Sequence, residues 1–136
     1  MRADSREAML TYILVVDDEC AITEFVFDAL SDEGYSIAIC HDGASALVSL
    51  NERQPDLMLL DIGLPVMSGD QVLRELRAHG FALLPVVVAT AGTNPEQYLA
   101  QGATAILKKP FTLDSLLNAV ATYALPEPEQ LSENVA

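Results

Sequence analysis

The sequence predicts an α/β fold in which a doubly wound parallel sheet carries helices on both faces. Short apolar runs alternate with segments of helical period, and the alternation repeats five times at intervals of about 20 to 25 residues. Turn-forming residues stand at almost every junction. Because right-handed crossovers place the intervening helices on the two faces of such a sheet, we expect five β–α units.

Each predicted strand is an apolar run, and each predicted helix shows an apolar stripe. Continuous apolar runs are typical of parallel strands that are covered on both faces. The expected order is strand one (12–16), helix one (22–30), strand two (35–40), helix two (44–50), strand three (57–60), helix three (72–77), strand four (86–90), helix four (95–102), strand five (105–107) and helix five (113–120).

Punctuating residues set the expected helix ends. Gly34 can close helix one in the left-handed conformation, and Pro55 stops helix two. His79 and Gly80 end helix three. Asn94-Pro95 supplies an N-cap and a first-turn proline for a short helix four, and Thr112 caps helix five.

One domain accounts for residues 11–124. Residues 1–10 form an expected N-terminal extension, in which Ala8, Met9 and Leu10 are candidates for packing on the sheet edge. Residues 125–136 lack periodicity, and we expect a flexible tail. We expect a single-domain protein whose output passes through another protein; a piece cut from a longer regulator is the alternative.

Composition excludes several classes of function. Seven Lys and Arg residues stand against 20 Asp and Glu, which gives a net charge of −13 and disfavours nucleic-acid binding. No apolar run approaches the roughly 18 residues of a membrane span, and the N-terminus lacks a signal-peptide pattern. We expect a soluble, cytoplasmic protein in which Cys20 and Cys40 are reduced, buried thiols.

Polar residues follow four of the five predicted strands. Strand one ends at Asp17 and Asp18, strand three at Asp61, strand four at Thr90, and strand five at Lys109. The carboxyl ends of parallel strands form the usual crevice for function in this class of sheet. Three converging carboxylates repel one another and need a counter-charge, which Lys109 and a divalent cation provide. Oxygen ligands alone favour Mg²⁺ or Mn²⁺.

These residues resemble the receiver domain of two-component response regulators. The matching segments span about 100 residues in the family's order: ILVVDDE (13–19), LMLLDIGLPVMSG (57–69), VVVATAG (86–92) and ILKKPF (106–111). The resemblance implies a flavodoxin-like (βα)5 fold with strand order 2-1-3-4-5.

The resemblance also implies a role for each site residue. Asp61 would be the phosphoacceptor nucleophile. Asp18 and Asp61 would bind Mg²⁺ directly and Asp17 through water, and the main-chain carbonyl of Gly63 would complete the protein ligands. The group that would contact the phosphoryl oxygens consists of the side chains of Thr90 and Lys109 and the backbone N–H groups of Gly63 and Ala91. The Lys109–Pro110 bond is expected to be cis.

By the same resemblance, the domain would take its phosphoryl group from a histidine kinase or a histidine phosphotransfer protein. The acyl phosphate on Asp61 would then be hydrolysed by water, so the domain would catalyse its own phosphotransfer and autodephosphorylation without turning over an external substrate. Thr90 and Lys109 would follow the added charge, and the face of helix four, strand five and helix five would be the output surface.

Several positions depart from the family pattern. Ile106 stands where the family carries a Tyr or Phe that rotates on activation, so we expect a different switch there. The interval from Thr90 to Lys109 is a few residues short, which predicts a stubby helix four. Tyr98 is expected to pack on the sheet. Gly63 and Gly92 flank the site without side chains, and we expect them to leave it accessible.

The two histidines are expected to lie away from the carboxyl edge of the sheet. His41 and His79 both fall in predicted loops, and a surface role is the favoured interpretation.

Three other functions compete with the receiver. A haloacid-dehalogenase-like phosphatase needs a second Asp two residues after the nucleophile, where this chain has Gly63. A nucleotide or flavin module needs a Gly-rich or Ser/Thr-rich loop after strand one, whereas this chain has Asp17, Asp18 and Glu19. A degenerate receiver that binds partners without phosphorylation is the third alternative.

Overall fold

Strands and helices alternate throughout residues 11–124, the part of the chain that the computed structural model describes. The strands are β1 (Tyr12–Val16), β2 (Ser36–Cys40), β3 (Leu57–Asp61), β4 (Val86–Thr90) and β5 (Ala105–Lys108). The helices are α1 (Cys20–Asp32), α2 (Gly43–Glu52), α3 (Gly69–Ala78), α4 (Glu96–Ala100) and α5 (Leu113–Tyr123). The expected extension at 1–10 and tail at 125–136 lie outside the described residues.

The five strands form one parallel sheet in the order β2-β1-β3-β4-β5, which confirms the prediction. The three inner strands β1, β3 and β4 are buried along their whole length, whereas every residue of β2 is half-buried. The inner strands have neighbours on both sides and helices on both faces, and this explains their continuous apolar runs.

Side chains that alternate along the strands build two cores, one on each face of the sheet. In β1, Leu14 and Val16 pack toward α2 and α3, where Ala46 and Leu73 belong to the same core. Ile13 and Val15 point to the other face, into the core that α1 and α5 complete with Val26, Leu30, Leu116 and Val120. The helices are therefore divided between the two faces, with α1 and α5 on one and α2 and α3 on the other.

Local signals end and begin the helices as their residue types predict. Gly34 has φ +95°, and its N–H donates to the Ser31 carbonyl at the end of α1. The Thr112 side chain accepts from the backbone N–H of Ser115, which confirms it as the cap of α5. At α3, the side chains of Ser68 and Gln71 each accept a backbone N–H of the other residue, forming a capping box.

The predicted start of α4 was wrong by one residue. Pro95, not Asn94, occupies the N-cap position, and α4 begins at Glu96. Pro95 already has helical angles (φ −69°, ψ −21°), and the N–H groups of Gln97 and Tyr98 donate to the main-chain carbonyls of Asn94 and Pro95, so no side chain caps this end. The main-chain carbonyl of Asn94, not its side chain, accepts from the Gln97 side chain.

The short fourth helix was predicted correctly, and the turn that follows it is bonded to α3. Each of its five residues is at least partly exposed. Arg77 of α3 reaches across to the following turn, where its Nε and Nη2 donate to the Gly102 carbonyl at 3.0 and 2.7 Å. Its Nη1 donates to the Phe81 carbonyl at 2.6 Å. One guanidinium thus ties the turn after α4 to α3 and to the loop before β4.

Both cysteines are free thiols, as expected. Their expected burial was wrong for Cys20, which is exposed at the start of α1, and only partly right for Cys40. Burial raises the pKa of the half-buried Cys40 thiol. Across residues 11–124, no helix has the length and apolar character to cross a membrane.

Candidate functional site at the carboxyl edge of the sheet

The sheet delivers the predicted site residues to one edge. Asp17 and Asp18 follow β1, Asp61 is the last residue of β3, Thr90 ends β4, and Lys109 follows β5. Asp17 and Asp61 expose 3 % and 6 % of their surface, whereas Asp18 is exposed. Two of the three carboxylates are therefore buried in a place where water solvates them poorly.

The ammonium of Lys109 compensates these carboxylates. Its Nζ donates to Asp17 Oδ2 at 3.0 Å and to Asp61 Oδ1 at 3.1 Å. A third bond of 3.3 Å joins Nζ to Oε1 of Glu19. The bond between Lys109 and Pro110 is cis, which confirms that prediction.

Glu19 was not predicted from the sequence as a partner of Lys109. The available signal was its place directly after Asp18 in the run of three acids. Its backbone also contributes, because the N–H of Glu19 donates to Asp17 Oδ1 at 2.9 Å. Both carboxylate oxygens of Asp17 therefore have donors within the protein.

Three aspartates can supply ligands for a cation. Asp17, Asp18 and Asp61 each offer a carboxylate oxygen, and these atoms lie within 4.8 Å of one another. Oxygen donors of this kind fit Mg²⁺, a hard cation that takes few carboxylates and retains water. Because Asp17 already accepts two hydrogen bonds, its contact through water is compatible with this geometry.

Burial and hydrogen bonding shift the pKa values of Asp61 and Lys109 in opposite directions. Burial, and then the charge of Asp17, raise the pKa of Asp61, while Lys109 and the backbone N–H of Gly63 oppose this shift through hydrogen bonds. Burial by itself lowers the pKa of Lys109, but hydrogen bonds to Asp17 and Asp61 outweigh it, so that pKa is raised. Lys109 therefore carries its charge throughout the physiological range.

Thr90 connects the site to the loop before α4. Its side chain is buried, and its Oγ1 accepts the backbone N–H of Gly92 at 3.0 Å. The hydroxyl hydrogen remains available as a donor. Any group that attracts the hydroxyl of Thr90 will therefore also act on the backbone at Gly92.

An open cleft of about 840 Å³ lies over these residues. Its polar part includes Asp61, Thr90 and Lys109, together with Gly63 and Ala91, whose backbones were expected to contact a phosphoryl group. Its other part is apolar and is lined by Ile22, Phe25, Pro110 and Phe111. The rings of Phe25 and Phe111 lie 6.2 Å apart, and Phe25 is 40 % exposed. The site thus combines a charged floor with an apolar rim.

The loop after β3 is held close to Asp61 by a glycine. The N–H of Gly69 donates to the Ile62 carbonyl at 3.0 Å, and a Cβ at Gly69 would lie 2.3 Å from the Asp61 carbonyl oxygen. Within the loop, the Met67 N–H donates to the Pro65 carbonyl at 2.7 Å around Val66, which has φ +66°. This is a γ-turn around a β-branched residue, a strained conformation.

We expect Gly69→Ala to lower the free energy of unfolding by about 3 kcal/mol, because the methyl group would collide with backbone atoms. Urea denaturation measures this loss. The control is Gly63→Ala, whose Cβ would lie 3.8 Å from the nearest atom, Asp61 Oδ2, and which we expect to change stability by less than about 0.5 kcal/mol. Equal stability of the two variants would show that the loop adapts freely.

The position expected for His41 was wrong. Its Nδ1 donates to the Asp17 carbonyl at 3.1 Å, so this histidine lies at the carboxyl edge. The reason is topological: β2 runs parallel to β1 and ends at Cys40, which brings the next residue to the same edge. His79 follows the end of α3, where its Nδ1 donates to the Glu75 carbonyl, and it is exposed as expected.

Ile106 and Tyr98 lie on the same face of the sheet as α3. Both are half-buried and pack against the same core, so Tyr98 packs on the sheet as predicted. Tyr98 also lines the cleft. An aliphatic side chain of β5 and an aromatic ring of α4 thus contribute to one core.

Comparison with known proteins agrees with this geometry. The model of the response regulator receiver domain family matches residues 13–121. The response regulator MprA of Mycobacterium bovis (strain BCG / Pasteur 1173P2) is 38 % identical over 132 residues, which cover 94 % of this chain and 57 % of MprA. MprA of Mycobacterium avium (strain 104) is 39 % identical over 128 residues, 91 % of this chain and 56 % of that protein. The chain spans a little over half the length of these curated relatives.

Solved structures show the same architecture. The chemotaxis response regulator CheY4 of Vibrio cholerae superposes with a TM-score of 0.78 at 31 % identity, covering 85 % of this chain and 98 % of CheY4. The receiver domain of the sensor histidine kinase PA1611 of Pseudomonas aeruginosa PAO1 superposes with a TM-score of 0.77 at 28 % identity, covering 84 % and 97 %. That structure is described with a magnesium ion coordinated in the active site cleft.

Proposed function

Because this chain belongs to the response regulator receiver domain family, we propose that it accepts a phosphoryl group on Asp61. The donor is the phosphohistidine of a histidine kinase or of a histidine phosphotransfer protein. The observation that carries the proposal is the position of the Lys109 ammonium, 3.1 Å from Asp61 Oδ1 on the floor of an open cleft. A carboxylate and a fixed cation in that arrangement suit phosphoryl transfer.

In the proposed reaction, a carboxylate oxygen of Asp61 attacks the phosphorus atom of the donor. A P–O bond forms, the P–N bond breaks, and its electron pair remains on the imidazole nitrogen of the donor. Lys109 and Thr90 donate hydrogen bonds to the phosphoryl oxygens, as do the backbone N–H groups of Gly63 and Ala91. Water later attacks the acyl phosphate and releases inorganic phosphate, which restores the Asp61 carboxylate.

The acidic cluster is the proposed site of Mg²⁺ or Mn²⁺, the family's usual kind of cofactor. Asp18 and Asp61 would bind it directly, Asp17 through water, and Gly63 through its main-chain carbonyl. When bound, the cation supplies positive charge that offsets the carboxylates and the transferred phosphoryl group.

The rim of the cleft supports a protein as donor. Asp61 is buried, so a histidine must enter the cleft to reach it, and the protein that carries the histidine then covers the rim. Ile22, Phe25 and Phe111 offer an apolar surface for that contact. Gly63 and Gly92 leave the approach free of side chains.

The proposed output runs from Thr90 to the face formed by α4, β5 and α5, where a downstream protein would bind. A phosphoryl group on Asp61 attracts the Thr90 hydroxyl, which accepts the Gly92 N–H, so the loop before α4 moves with it. Ile106 has no ring to rotate, and Tyr98, which packs against the same core, lines the cleft. The proposed switch therefore works through the backbone at Gly92.

The test is incubation with Mg²⁺ and acetyl phosphate, followed by intact mass measurement. We expect wild type to gain the mass of one phosphoryl group and Asp61→Asn to gain none. Asp28→Asn, which removes an exposed carboxylate of α1, is the matched control and should gain the group like wild type.

Two results would contradict the proposal. Modification of Asp61→Asn to the same extent as wild type would place the phosphoryl group elsewhere. No gain in wild type with acetyl phosphate, or with a phosphorylated histidine kinase, would identify a degenerate receiver that binds partners without phosphorylation.

A further inference from the structure

Glu19 stands apart from the other carboxylates that contact Lys109. Asp17 and Asp61 are buried, whereas the Glu19 side chain is 62 % exposed at the mouth of the cleft. Glu19 occupies the N-cap position of α1, but its side chain accepts no capping hydrogen bond. Its carboxylate is directed instead to Lys109, at 3.3 Å.

The carboxylates also differ in what can neutralise them. Asp17, Asp18 and Asp61 share one cluster in which a single divalent cation would offset their charge. Within residues 11–124, Glu19 is not part of that cluster. Its negative charge therefore persists when the cation is bound. Of the three carboxylates on Lys109, Glu19 is then the one that continues to compete for the ammonium.

We propose that Glu19 is a positioning residue that holds Lys109 back from the incoming phosphoryl group and so slows phosphorylation of Asp61. This inference rests on the proposed function. Lys109 has three donor hydrogens, and in this structure all three bonds go to carboxylates. A phosphoryl oxygen must replace one of them, and the exposed bond to Glu19 is the one that solvent already weakens.

The test compares wild type with Glu19→Gln and Glu24→Gln. Both variants lose one exposed negative charge near the start of α1, but Glu24 lines a different cavity, between α1 and β2. We expect Glu19→Gln to raise the initial rate of phosphorylation by acetyl phosphate about two- to fivefold, the size of an exposed ion pair. Its affinity for beryllofluoride, an unreactive phosphoryl mimic, should rise by a similar factor. Glu24→Gln should match wild type in both measurements.

Two further measurements separate this role from a structural one. The gain in Glu19→Gln should shrink as ionic strength rises, because screening weakens an exposed pair. Glu19→Asp, which keeps the charge on a shorter side chain, should fall between wild type and Glu19→Gln. The Mg²⁺ affinity measured by calorimetry should change equally in Glu19→Gln and Glu24→Gln, because Glu19 is not among the cluster residues.

Different outcomes overturn different statements. Slower phosphorylation of Glu19→Gln than of wild type would show that Glu19 supports Lys109. An equal gain in Glu24→Gln would show that only net charge matters. Either result overturns the role proposed for Glu19 and leaves the proposed function intact. If wild type binds Mg²⁺ but neither beryllofluoride nor a phosphoryl group, the proposed function itself fails, and the role of Glu19 fails with it.

Discussion

Lys109→Met should lower the free energy of unfolding of the metal-free protein by about 3–5 kcal/mol, the usual cost of removing one partner from a buried ion pair. Asp17 and Asp61 are buried and both accept hydrogen bonds from this ammonium. Methionine matches the unbranched stem of lysine up to Cε but lacks the ammonium, so these carboxylates lose their cation. Urea denaturation in the presence of a chelator measures the loss.

The neighbouring lysine provides the control. Lys108→Met removes the same charge from an exposed residue, and we expect a change of less than about 0.5 kcal/mol. Mg²⁺ should restore part of the stability of Lys109→Met, because it supplies positive charge to the same carboxylates. Phosphorylation by acetyl phosphate should nevertheless remain slower by about 100- to 1,000-fold, the usual cost of losing one transition-state donor. Equal stability of the two variants would contradict the role of Lys109 as the counter-charge.

Mg²⁺ at about 100 times its dissociation constant should stabilise the wild-type protein by roughly 2.7 kcal/mol, since it binds the folded state. For a chain of this length the midpoint of thermal unfolding should rise by about 10 °C. The physical reason is the acidic cluster, whose three carboxylate oxygens meet within 4.8 Å in the folded protein.

The controls for this experiment are NaCl at matched ionic strength and a variant that lacks one carboxylate of the acidic cluster. NaCl at matched ionic strength should give a much smaller rise, because screening acts weakly on buried charges. Asp61→Asn should show a smaller rise at the same Mg²⁺ concentration, since one charged ligand is lost. A thermal midpoint of wild type that does not respond to Mg²⁺ would argue against a metal site.

The fold was predictable because the residue types within each strand and helix indicate its burial and its ends. The runs 12–16, 57–60 and 86–89 are apolar throughout because those strands are covered on both faces. Gly34 and Thr112 end and begin helices through their own backbone and side-chain chemistry. Such features depend on near neighbours in the chain, and a single sequence contains them.

The site was predictable only to the level of which residues share an edge. Parallel strands bring Asp17, Asp61 and Lys109 together regardless of detail. The bonds of Glu19 and His41 depend on side-chain reach between residues distant in the chain, Lys109 in one case and Asp17 in the other. Both side chains are exposed and polar, so neither leaves an apolar pattern in the sequence. The start of α4 was predicted one residue too early. The fixed φ of proline suits the N-cap position of this helix as well as the first helical position, so the sequence does not distinguish the two.

The residues of α4 and the residues at the carboxyl edge of the sheet differ in how freely they can be substituted. The five residues of α4 are at least partly exposed, and Arg77 fixes the turn that follows it through the main-chain carbonyl of Gly102, outside the helix. Substitutions at the four exposed residues of α4 therefore cost little stability, whereas Tyr98 packs against the core and the carboxylates and Lys109 constrain one another. A lineage can therefore change the exposed residues of α4, and with them the proposed downstream partner, while the chemistry proposed at Asp61 stays the same.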